Sequence, residues 1–517
     1  MVNKLHARCI VLLLRMTLFT VAIVAGHASS SVAADTPKRA ANDKTMKAVA
    51  PVTLNQTANG YRGIWYHIGS TKDEFKYKYS GGLGTYCDCH YPQAIYCPEA
   101  KKTFFCYGGA PEDDSRRLLH LVSYFDHETG TVPQPTFLLD KQTNDAHDNP
   151  VISVDGDGYI WIFSTSHGRS RPSFVHRSKR PYDVSEFKLV PAMRVVGSAK
   201  IPFDNFSYVQ TFYDRSFGFT NFFTRYRDPA IRTTFVITSV DGIEWSEATR
   251  LAAMEEGQYQ VSAVGHGKIG TYFNMHPNGK GVDWRTNLYY MESLDQGKTW
   301  QTVDGKPIAV PLIEANNLAL VHNYQVEGLL VYLKDLCFDS NGHPVIAYLT
   351  GKGHEPGPAN DPRTLRVLRW TGRAWEDHPI TTTDHNYDSL ALYLESDHLW
   401  RAIGPTEPGP QPFGTGGEMV MWTSSDQGTT WSKEQQLTSD SKRNHTYARR
   451  PLNAHPDFYA LWADGNARKP SESWLYFCNQ KGDVYRLPRT MDGATAKPER
   501  VDLGSKELSS RSDGKSR

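Results

Sequence analysis

The segment between residues 147 and 167 alternates between apolar and polar stretches in a way that predicts one β-hairpin. Two apolar runs, Val151–Val154 and Tyr159–Phe163, flank Asp155-Gly156-Asp157-Gly158, which is a turn signal between strands. Folding the segment about this turn places His147 opposite His167. Neighbouring strands lie about 4.8 Å apart, so both imidazoles would face one ligand at one end of the hairpin. Histidine is also the side chain best suited to proton transfer near neutral pH.

The same pattern of two strands around a turn recurs along the chain. Seven hairpin centres lie about 59 residues apart on average, and strand-only repeats of this size are typical of propeller blades. Tyrosine, tryptophan and glycine number 27, 12 and 41, which favours aromatic strands joined by many turns. The expected fold is all-β, a seven-bladed β-propeller of four-stranded antiparallel blades. Besides the hairpin above, the predicted hairpins are Ala94–Tyr107, Tyr208–Arg225, Tyr259–His276, Leu330–Thr350, Ala391–Gly404 and Ala448–Trp462.

The first 34 residues have the layout of a secretory signal peptide. Basic residues precede the apolar run Met16–Gly26, and small residues follow up to Ala34. We expect cleavage after Ala34 and a secreted or periplasmic protein; the alternative is a retained N-terminal anchor. Residues 35–55 and 491–517 are polar and aperiodic. We therefore expect a polar linker, the propeller over residues 56–490, and a polar C-terminal tail.

The charge of the chain is almost balanced, with 57 Lys and Arg against 56 Asp and Glu. This balance gives no bulk attraction to nucleic acid or to an anionic membrane, and no later apolar stretch is long enough to span a bilayer. An acidic partner must be recognised by a local patch. We expect a monomer.

Two eight-residue segments share one pattern, Ser293-Leu-Asp295-Gln-Gly297-Lys-Thr-Trp300 and Ser424-Ser-Asp426-Gln-Gly428-Thr-Thr-Trp431. A version shorter by one residue occurs at Ser239-Val-Asp241-Gly242-Ile-Glu-Trp245. These segments resemble the Asp-box, or BNR, repeat. The resemblance implies that the Asp caps a tight turn and that the Trp packs between blades, so we assign these Asp residues to structure and not to catalysis.

Two further hairpins present matched polar pairs. Folding them about their turns places Tyr208 opposite Arg225 and Tyr259 opposite His276. Propeller blades are radial, so equivalent hairpin ends converge on one face around the axis. These pairs would then join the two histidines in one site.

Each of these residues also has a structural interpretation. A histidine or tyrosine in a strand is often a core residue, and Arg225 is placed to pair with Asp228. A register slip of one residue reverses the face on which a side chain lies. The occurrence of three matched pairs together favours function.

This combination of residues fits β-elimination from a uronic acid. A glycosidase needs two carboxyl groups that bracket the sugar bond, and no comparable pair is evident. In an elimination, Arg neutralises the uronate carboxylate, and His and Tyr serve as base and acid. Arg and nearby donors also stabilise the charge that builds in the transition state. No cofactor is required for this chemistry.

Four segments carry a more specific resemblance, namely Tyr61-Arg-Gly-Ile-Trp65, Lys78-Tyr-Ser-Gly-Gly82, Asp145-Ala-His147-Asp-Asn-Pro150 and Ser164-Thr-Ser-His167-Gly168. Residues 56–490 resemble the BNR-repeat family of secreted seven-bladed propellers, which includes ulvan lyases and rhamnose–glucuronate polysaccharide lyases. The resemblance implies a polysaccharide lyase whose substrate is an acidic polysaccharide.

The resemblance also implies roles for individual residues. His147 and Tyr208 would serve as acid and base, His167 would assist at the substrate, and Arg225 would neutralise the carboxylate. Tyr213 lies in the same strand as Tyr208, so the assignment of the tyrosine stays open. The expected substrate-binding residues are Tyr259, His276, Arg227 and Asn149.

Six cysteines remain after the signal peptide, and four of them cluster between residues 87 and 106. In an exported protein an even count favours disulfides, with free thiols as another interpretation. A structural zinc site formed by Cys87, Cys89, His90 and either Cys97 or Cys106 has suitable ligand types. Three carboxylates near His147, those of Asp145, Asp148 and Asp157, are of the type that binds calcium, although turns also use Asp for caps.

Two other functions compete with the lyase. A non-catalytic carbohydrate-binding propeller would keep the aromatic and Arg contacts without a proton-transfer pair. A sialidase-like hydrolase, which the Asp-boxes alone favour, would need three converging Arg residues. Arg62 and Arg225 are candidates for two of them, but the expected Arg-Ile-Pro near the start is absent.

Overall fold

Antiparallel sheets organise the part of the chain that the computed structural model describes, residues 53–169 and 171–501. The predicted signal peptide and most of the predicted linker lie outside these residues. Across the described residues, the first strands are β1 (Gln56–Thr57), β2 (Trp65–Ser70), β3 (Tyr77–Gly82), β4 (Ala94–Cys97), β5 (Lys102–Gly109), β6 (Leu119–Asp126), β7 (Val132–Pro133), β8 (Thr136–Asp140), β9 (Pro150–Val154), β10 (Ile160–Ser164), β11 (Phe174–Ser178), β12 (Phe187–Leu189), β13 (Met193–Val196) and β14 (Ala199–Pro202).

The middle strands are β15 (Ser207–Asp214), β16 (Gly218–Tyr226), β17 (Arg232–Ser239), β18 (Glu244–Glu247), β19 (Thr249–Ala252), β20 (Gln260–Gly265), β21 (Lys268–Met275), β22 (Thr286–Ser293), β23 (Trp300–Gln301), β24 (Pro307–Ile308) and β25 (Leu320–His322). The last strands are β26 (Leu330–Phe338), β27 (Pro344–Gly351), β28 (Arg363–Trp370), β29 (Trp375–Thr383), β30 (Ala391–Ser396), β31 (Leu399–Pro408), β32 (Gly417–Ser424), β33 (Ser432–Gln436), β34 (Asn444–Arg449), β35 (Ala460–Gly465), β36 (Leu475–Cys478), β37 (Val484–Arg486), β38 (Thr495–Ala496) and β39 (Glu499–Arg500). Single-turn 3₁₀ helices span Ala146–Asp148 and Pro358–Asn360.

All seven predicted hairpins are present, and each begins an antiparallel meander. The strand orders of the main sheets are β1-β8-β6-β5-β4, β12-β11-β10-β9, β15-β16-β17-β19, β20-β21-β22-β23-β24, β26-β27-β28-β29 and β30-β31-β32-β34-β35-β36-β37-β39. The last of these contains two meanders, which one residue pair joins, Gly417 with His445. The prediction of an all-β chain of antiparallel strands is confirmed.

The hairpin β9–β10 shows why the turn signal works. Pro150 pairs with Ser164 and Val154 with Ile160, so the strands fold about the predicted centre. The Asp155 carboxylate accepts hydrogen bonds from the N–H of Asp157 at 3.1 Å and of Tyr159 at 2.9 Å. Gly158 takes a φ of +84°, which side-chain-bearing residues rarely adopt.

Each Asp-box forms the turn after the third strand of a meander, at β17–β18, β22–β23 and β32–β33, and the hydrogen bonds of its Asp support a structural role. Asp295 accepts from the N–H of Thr299 at 2.8 Å, and Asp241 accepts from the N–H groups of residues 243 and 244 at 2.9 Å. The Trp245 indole donates to Gly242 O at 3.0 Å and packs against Phe163 of the preceding sheet. The box therefore caps a turn and fills the space between two sheets.

The predicted C-terminal tail contributes strands in its described part. β38 pairs with β7 in a separate two-stranded sheet, and β39 pairs with β37 of the last large sheet. Short polar segments such as these gain order from backbone pairing with an existing sheet edge, which hydrophobic periodicity does not reveal.

Among the described residues, no helix is long and apolar enough to cross a membrane. The six cysteines at positions 87, 89, 97, 106, 337 and 478 are free and buried, so the described part of the chain contains no disulfide. Burial raises the pKa of the Cys97 and Cys337 thiols to about 12. These thiols are therefore neutral, with the low reactivity of buried structural cysteines.

Candidate active site

A cavity of about 280 Å³ gathers residues from several sheets. Of the predicted catalytic and substrate-binding residues, four line it, His147, His167, Tyr208 and Tyr259, and the predicted metal ligands Cys87 and Cys89 line it as well. Four others do not, namely Arg225, Arg227, His276 and Asn149. Other side chains, to which the sequence assigned no role in the site, complete the wall, among them Lys78, Tyr79, Tyr86, Arg232, Arg285 and Tyr387.

The two histidines stack face to face on one carboxylate. Their ring centroids lie 3.9 Å apart with an interplanar angle of 13°. His147 Nδ1 lies 2.5 Å from one oxygen of Asp145, and His167 Nδ1 lies 2.8 Å from the other. His147 stands on the 3₁₀ turn just before β9, and Asp145 caps that turn by accepting from the His147 N–H at 3.0 Å.

The Asp145 carboxylate is held in place by the cationic side chain of Arg171. Arg171 donates to Asp145 at 2.8 Å and to both oxygens of the buried Asp148 at 2.7 and 3.0 Å. Burial would raise the pKa of Asp145, but the charges and hydrogen bonds of His147 and His167 hold it well below its usual range. The carboxylate is therefore ionised and accepts Nδ1–H from each ring, which leaves the Nε2 of His147 to act as an acceptor.

His147 is neutral in this environment. Burial, together with electrostatic repulsion from the adjacent His167, lowers the pKa of His147 to about 4, although Asp145 acts in the opposite direction. Its Nε2 lies 2.8 Å from the hydroxyl of Tyr86 and 2.9 Å from that of Tyr79. These hydroxyls donate to the ring, so His147 is a base held ready between a carboxylate and the cavity.

Tyr208 reaches the cavity through an irregular strand. The register of β15 with β16 shifts between Ser207 and Gln210, and Tyr208 has a φ of +53° within this bulge. Its ring lies 6.0 Å from that of His147. Burial raises the pKa of the Tyr208 hydroxyl well above its usual value, so the group is protonated and suited to act as an acid.

The placement of Arg225 corrects the sequence prediction. The residue after Arg225 is Tyr226, whose ring packs against His167 and whose hydroxyl donates to the Tyr208 hydroxyl. Side chains alternate between the two faces of a strand, so Arg225 and Tyr226 lie on opposite faces. Arg225 lies on the other face, where its Nε is 3.7 Å from Asp228. The regular part of the hairpin pairs Gln210 with Phe222 and Asp214 with Gly218, which is one residue away from the predicted register, so Tyr208 does not lie opposite Arg225. Arg227 is exposed in the following turn.

The arginine that the cavity contains is Arg232, at the start of β17. It is buried, and its guanidinium carbon lies 4.8 Å from the Tyr259 ring centroid and 5.2 Å from that of Tyr226. Its Nε and one terminal nitrogen have no hydrogen-bond partner. Arg232 pairs with Tyr226 across the hairpin β16–β17. A turn predicted from the sequence at Asp228-Pro229 would therefore have identified Arg232 as a site residue.

The remaining predicted binding residues support the wall from behind. His276 is buried beside Tyr259, at 5.1 Å between ring centroids, and its Nδ1 lies 3.1 Å from Trp284 O. Asn149 donates to the backbone oxygens of Leu83 at 2.8 Å and Tyr86 at 2.9 Å. Both residues therefore hold wall segments in place and do not face the cavity.

A second arginine, Arg285, also borders the cavity. Its guanidinium lies over the Tyr259 and Tyr332 rings, at 4.7 and 4.4 Å, and donates to the Tyr387 hydroxyl at 3.0 Å. Arg62, a candidate for the sialidase interpretation, donates instead to Arg489 O at 2.8 Å, away from the cavity. Neither Arg62 nor Arg225 joins the arginines of this site.

The predicted metal ligands do not come together. Within the described ranges, sets of three or more metal-binding groups occur at Asp145, His147 and His167 and at His127, His455 and Asp457. His90 Nδ1 lies 3.3 Å from Tyr86 O, and its pKa is lowered to about 3 by burial. The set of Cys87, Cys89 and His90 is not among those groups. Asp148 is bound to Arg171, and Asp157 is exposed in its turn, so the predicted calcium set is not assembled either.

Comparison with known proteins identifies a family and distant relatives. Residues 126–383 match the BNR repeat-containing family. An ulvan lyase of Nonlabens ulvanivorans is 24% identical over 353 residues, which cover 59% of this chain and 70% of that protein. An ulvan lyase of Alteromonas sp. (strain LOR) is 22% identical over 435 residues, 74% of this chain and 82% of that protein.

A solved structure shares the fold. The structure of a PL25 ulvan lyase superposes with a TM-score of 0.61 at 17% identity, over 83% of this chain and 96% of that chain. The same enzyme has been solved bound to -[GlcA(1-4)Rha3S]-. At this level of identity the likeness establishes the fold alone.

Proposed function

Because the chain belongs to the BNR repeat family and is a distant homologue of ulvan lyases, we propose that it is an exported polysaccharide lyase. Its substrate is a polysaccharide that contains a uronic acid, and the reaction is β-elimination. Export, expected from the N-terminal segment, would bring the enzyme to a polymer that cannot enter the cell.

We further propose that the seven meanders are the blades of one propeller. Each hairpin begins a run of consecutive antiparallel strands, and residues from distant meanders line one cavity. A radial arrangement of seven blades accounts for this convergence, since it brings equivalent strand ends to one axis.

The proposed reaction rests on one observation. Arg232 lies in the same cavity as His147 and the groups that His147 contacts. A buried guanidinium with two unpartnered nitrogens is costly unless a ligand satisfies it. A carboxylate matches the fork of an arginine in charge and shape. A uronate carboxylate bound there would place its sugar next to the base and the acid.

In the proposed reaction Arg232 neutralises the uronate carboxylate, which makes the C5 proton acidic. His147 Nε2 accepts this proton, after the substrate has replaced one of its tyrosine contacts. The electron pair of the C5–H bond forms the C4–C5 double bond as the C4–O bond breaks. Tyr208 gives its proton to the leaving oxygen, and His167 assists at the substrate.

The test is an assay of the purified mature protein on ulvan, gum arabic and other uronate polysaccharides. We expect absorbance at the unsaturated-uronate band to rise in step with new reducing ends, and no rise on carboxyl-reduced ulvan. New reducing ends without absorbance would identify a hydrolase. Saturable binding without any product would identify a carbohydrate-binding propeller.

A further inference from the structure

A second histidine cluster lies away from the cavity, between the first and last sheets. His127 follows β6, and His455 and Asp457 form the turn between β34 and β35. Their three potential ligand atoms all lie within 4.8 Å of one another. The proposed reaction uses none of these residues.

His127 presents an unsatisfied nitrogen to this cluster. Its side chain is only 5% exposed, and Nδ1 is buried without a hydrogen-bond partner. The other nitrogen, Nε2, lies 2.8 Å from the Thr103 hydroxyl, which fixes the orientation of the ring. A second contact of this kind commonly orients an imidazole that binds a metal through its other nitrogen.

The other two groups complete a set of metal-ligand type. His127 Nδ1 and His455 Nδ1 lie 3.9 and 3.7 Å from the same oxygen of Asp457. His455 Nδ1 also accepts from the Asp457 N–H at 3.2 Å, so it carries a lone pair. Two ligands of a tetrahedral zinc ion lie about 3.4 Å apart. The three ligand atoms lie within 4.8 Å of one another, so closing them to this spacing needs a movement of up to about 1.4 Å. His455 Nδ1 must also exchange the Asp457 N–H for the metal, and the exposed turn that carries Asp457 leaves room for both changes.

We propose that His127, His455 and Asp457 bind one divalent transition-metal ion of the zinc type. Two imidazoles and one carboxylate favour such an ion over calcium or magnesium, which prefer oxygen ligands alone. An adjoining cavity of about 270 Å³, bordered by His127, Asp457 and Lys497, gives the ion a path of entry and room for a water ligand.

The ion would cross-link the first and last sheets. The backbone already joins them at Leu452, whose N–H donates to Ala94 O at 2.8 Å and whose carbonyl accepts from Tyr96 N–H at 3.0 Å. The ring centroids of His127 and His455 lie 3.9 Å apart, with the rings tilted by 51°, beside these contacts. A link between segments so far apart in sequence restricts the unfolded chain and so raises stability.

The experiment titrates Zn²⁺ into chelator-treated, reduced protein and follows bound metal and thermal unfolding. We expect the wild type to bind one Zn²⁺ more than Asp457→Asn or His455→Ala. Zinc should raise the midpoint of thermal unfolding by a few degrees in the wild type and should not raise it in these two variants. His398→Ala, which removes an exposed histidine in the β30–β31 turn, should behave as the wild type.

The exposed Asp457 permits a substitution with little risk to folding. In chelator, Asp457→Asn should unfold at the wild-type midpoint, which separates loss of the metal from loss of structure. Zinc held by cysteines would persist in both variants and cancel from the difference. Equal stoichiometry and equal midpoints in wild type and variants, or no zinc bound by any of them, would overturn the proposal. None of these measurements depends on lyase activity.

Discussion

At the scale of single residues, Arg232 provides a test variant and Arg225 provides its control. Arg232→Lys keeps the positive charge but removes the planar fork, so we expect kcat/KM on ulvan to fall by roughly 10²–10³. Arg225→Ala should leave it near the wild-type value, because that side chain lies beside Asp228 on the other face of β16. Initial rates of absorbance increase measure both variants.

The two arginine variants also test the strand register. Thermal unfolding of Arg232→Lys, recorded in parallel, shows whether the fold survives the substitution of a buried residue. If Arg225→Ala lost activity while Arg232→Lys kept it, Arg225 would face the substrate and the observed face assignment would be wrong.

The low pKa of His147 predicts the pH dependence of the reaction. A base must be neutral to act, and the pKa of this imidazole is lowered to about 4. Activity should therefore hold as the pH falls from 7 to about 5 and decline about tenfold per unit below 4. The pH profile of kcat/KM measures this, and return to pH 7 after each incubation controls for unfolding.

An acid limb near 6.5, the ordinary value for histidine, would contradict this assignment. Asp145→Asn provides a second readout. It removes an attraction for the imidazolium, so the limb should move to lower pH while kcat falls because the ring tautomer is no longer fixed.

The sequence predicted half of the site at this scale, for a physical reason. His147 and His167 follow from the symmetry of a regular hairpin, because β9 and β10 pair without a bulge. Arg225 was predicted wrongly because the hairpin folds about a centre half a residue from the predicted one, and a slip of one residue in register reverses the face on which a side chain lies. Tyr79 and Tyr86 come from a segment before the first hairpin, and only the fold brings them to His147.

At the scale of elements, turn residues and the alternation of apolar and polar positions predicted the seven hairpins. These signals work because alternate side chains of each strand are buried, and this pattern is visible in the local sequence. Elements held by tertiary context were missed. β13 pairs with β14 in antiparallel and with β18 in parallel, in a small sheet beyond the regular meanders. β38 is a two-residue strand that exists only because β7 offers it an edge. No local pattern could distinguish it from a polar tail.

The Asp-box turn at Asp426 allows a prediction for one element. Its carboxylate accepts from the Thr430 N–H at 2.9 Å and hydroxyl at 2.7 Å, far from the cavity lining. Asp426→Ala should lower the free energy of unfolding by about 1 kcal/mol and leave kcat unchanged. Asp113→Ala, at an exposed position, is the control for loss of a surface carboxylate. A large loss of activity in Asp426→Ala with stability intact would mean that the box has a catalytic role.

At the scale of the whole molecule, the first and last sheets join through an aromatic cluster. Phe458 is fully buried, with its ring 4.4 Å from that of Phe477 and 5.7 Å from that of Phe105 in the first sheet. The C-terminal β38 adds backbone pairing to β7. Because every meander packs on its neighbours, loosening this one junction frees both ends of the chain at once.

Phe458→Ala should therefore lower the free energy of unfolding by about 3–5 kcal/mol, the usual cost of removing a buried phenyl ring. Phe217→Ala removes the same group from a turn where the ring is 54% exposed, and it should change stability by less than about 0.5 kcal/mol. Denaturant unfolding measures both variants. If the sheets are mutually dependent, Phe458→Ala will shift one cooperative transition to lower denaturant. A separate early transition for the first and last sheets, with the rest of the curve unmoved, would show that the junction is an independent unit and that closure does not stabilise the whole.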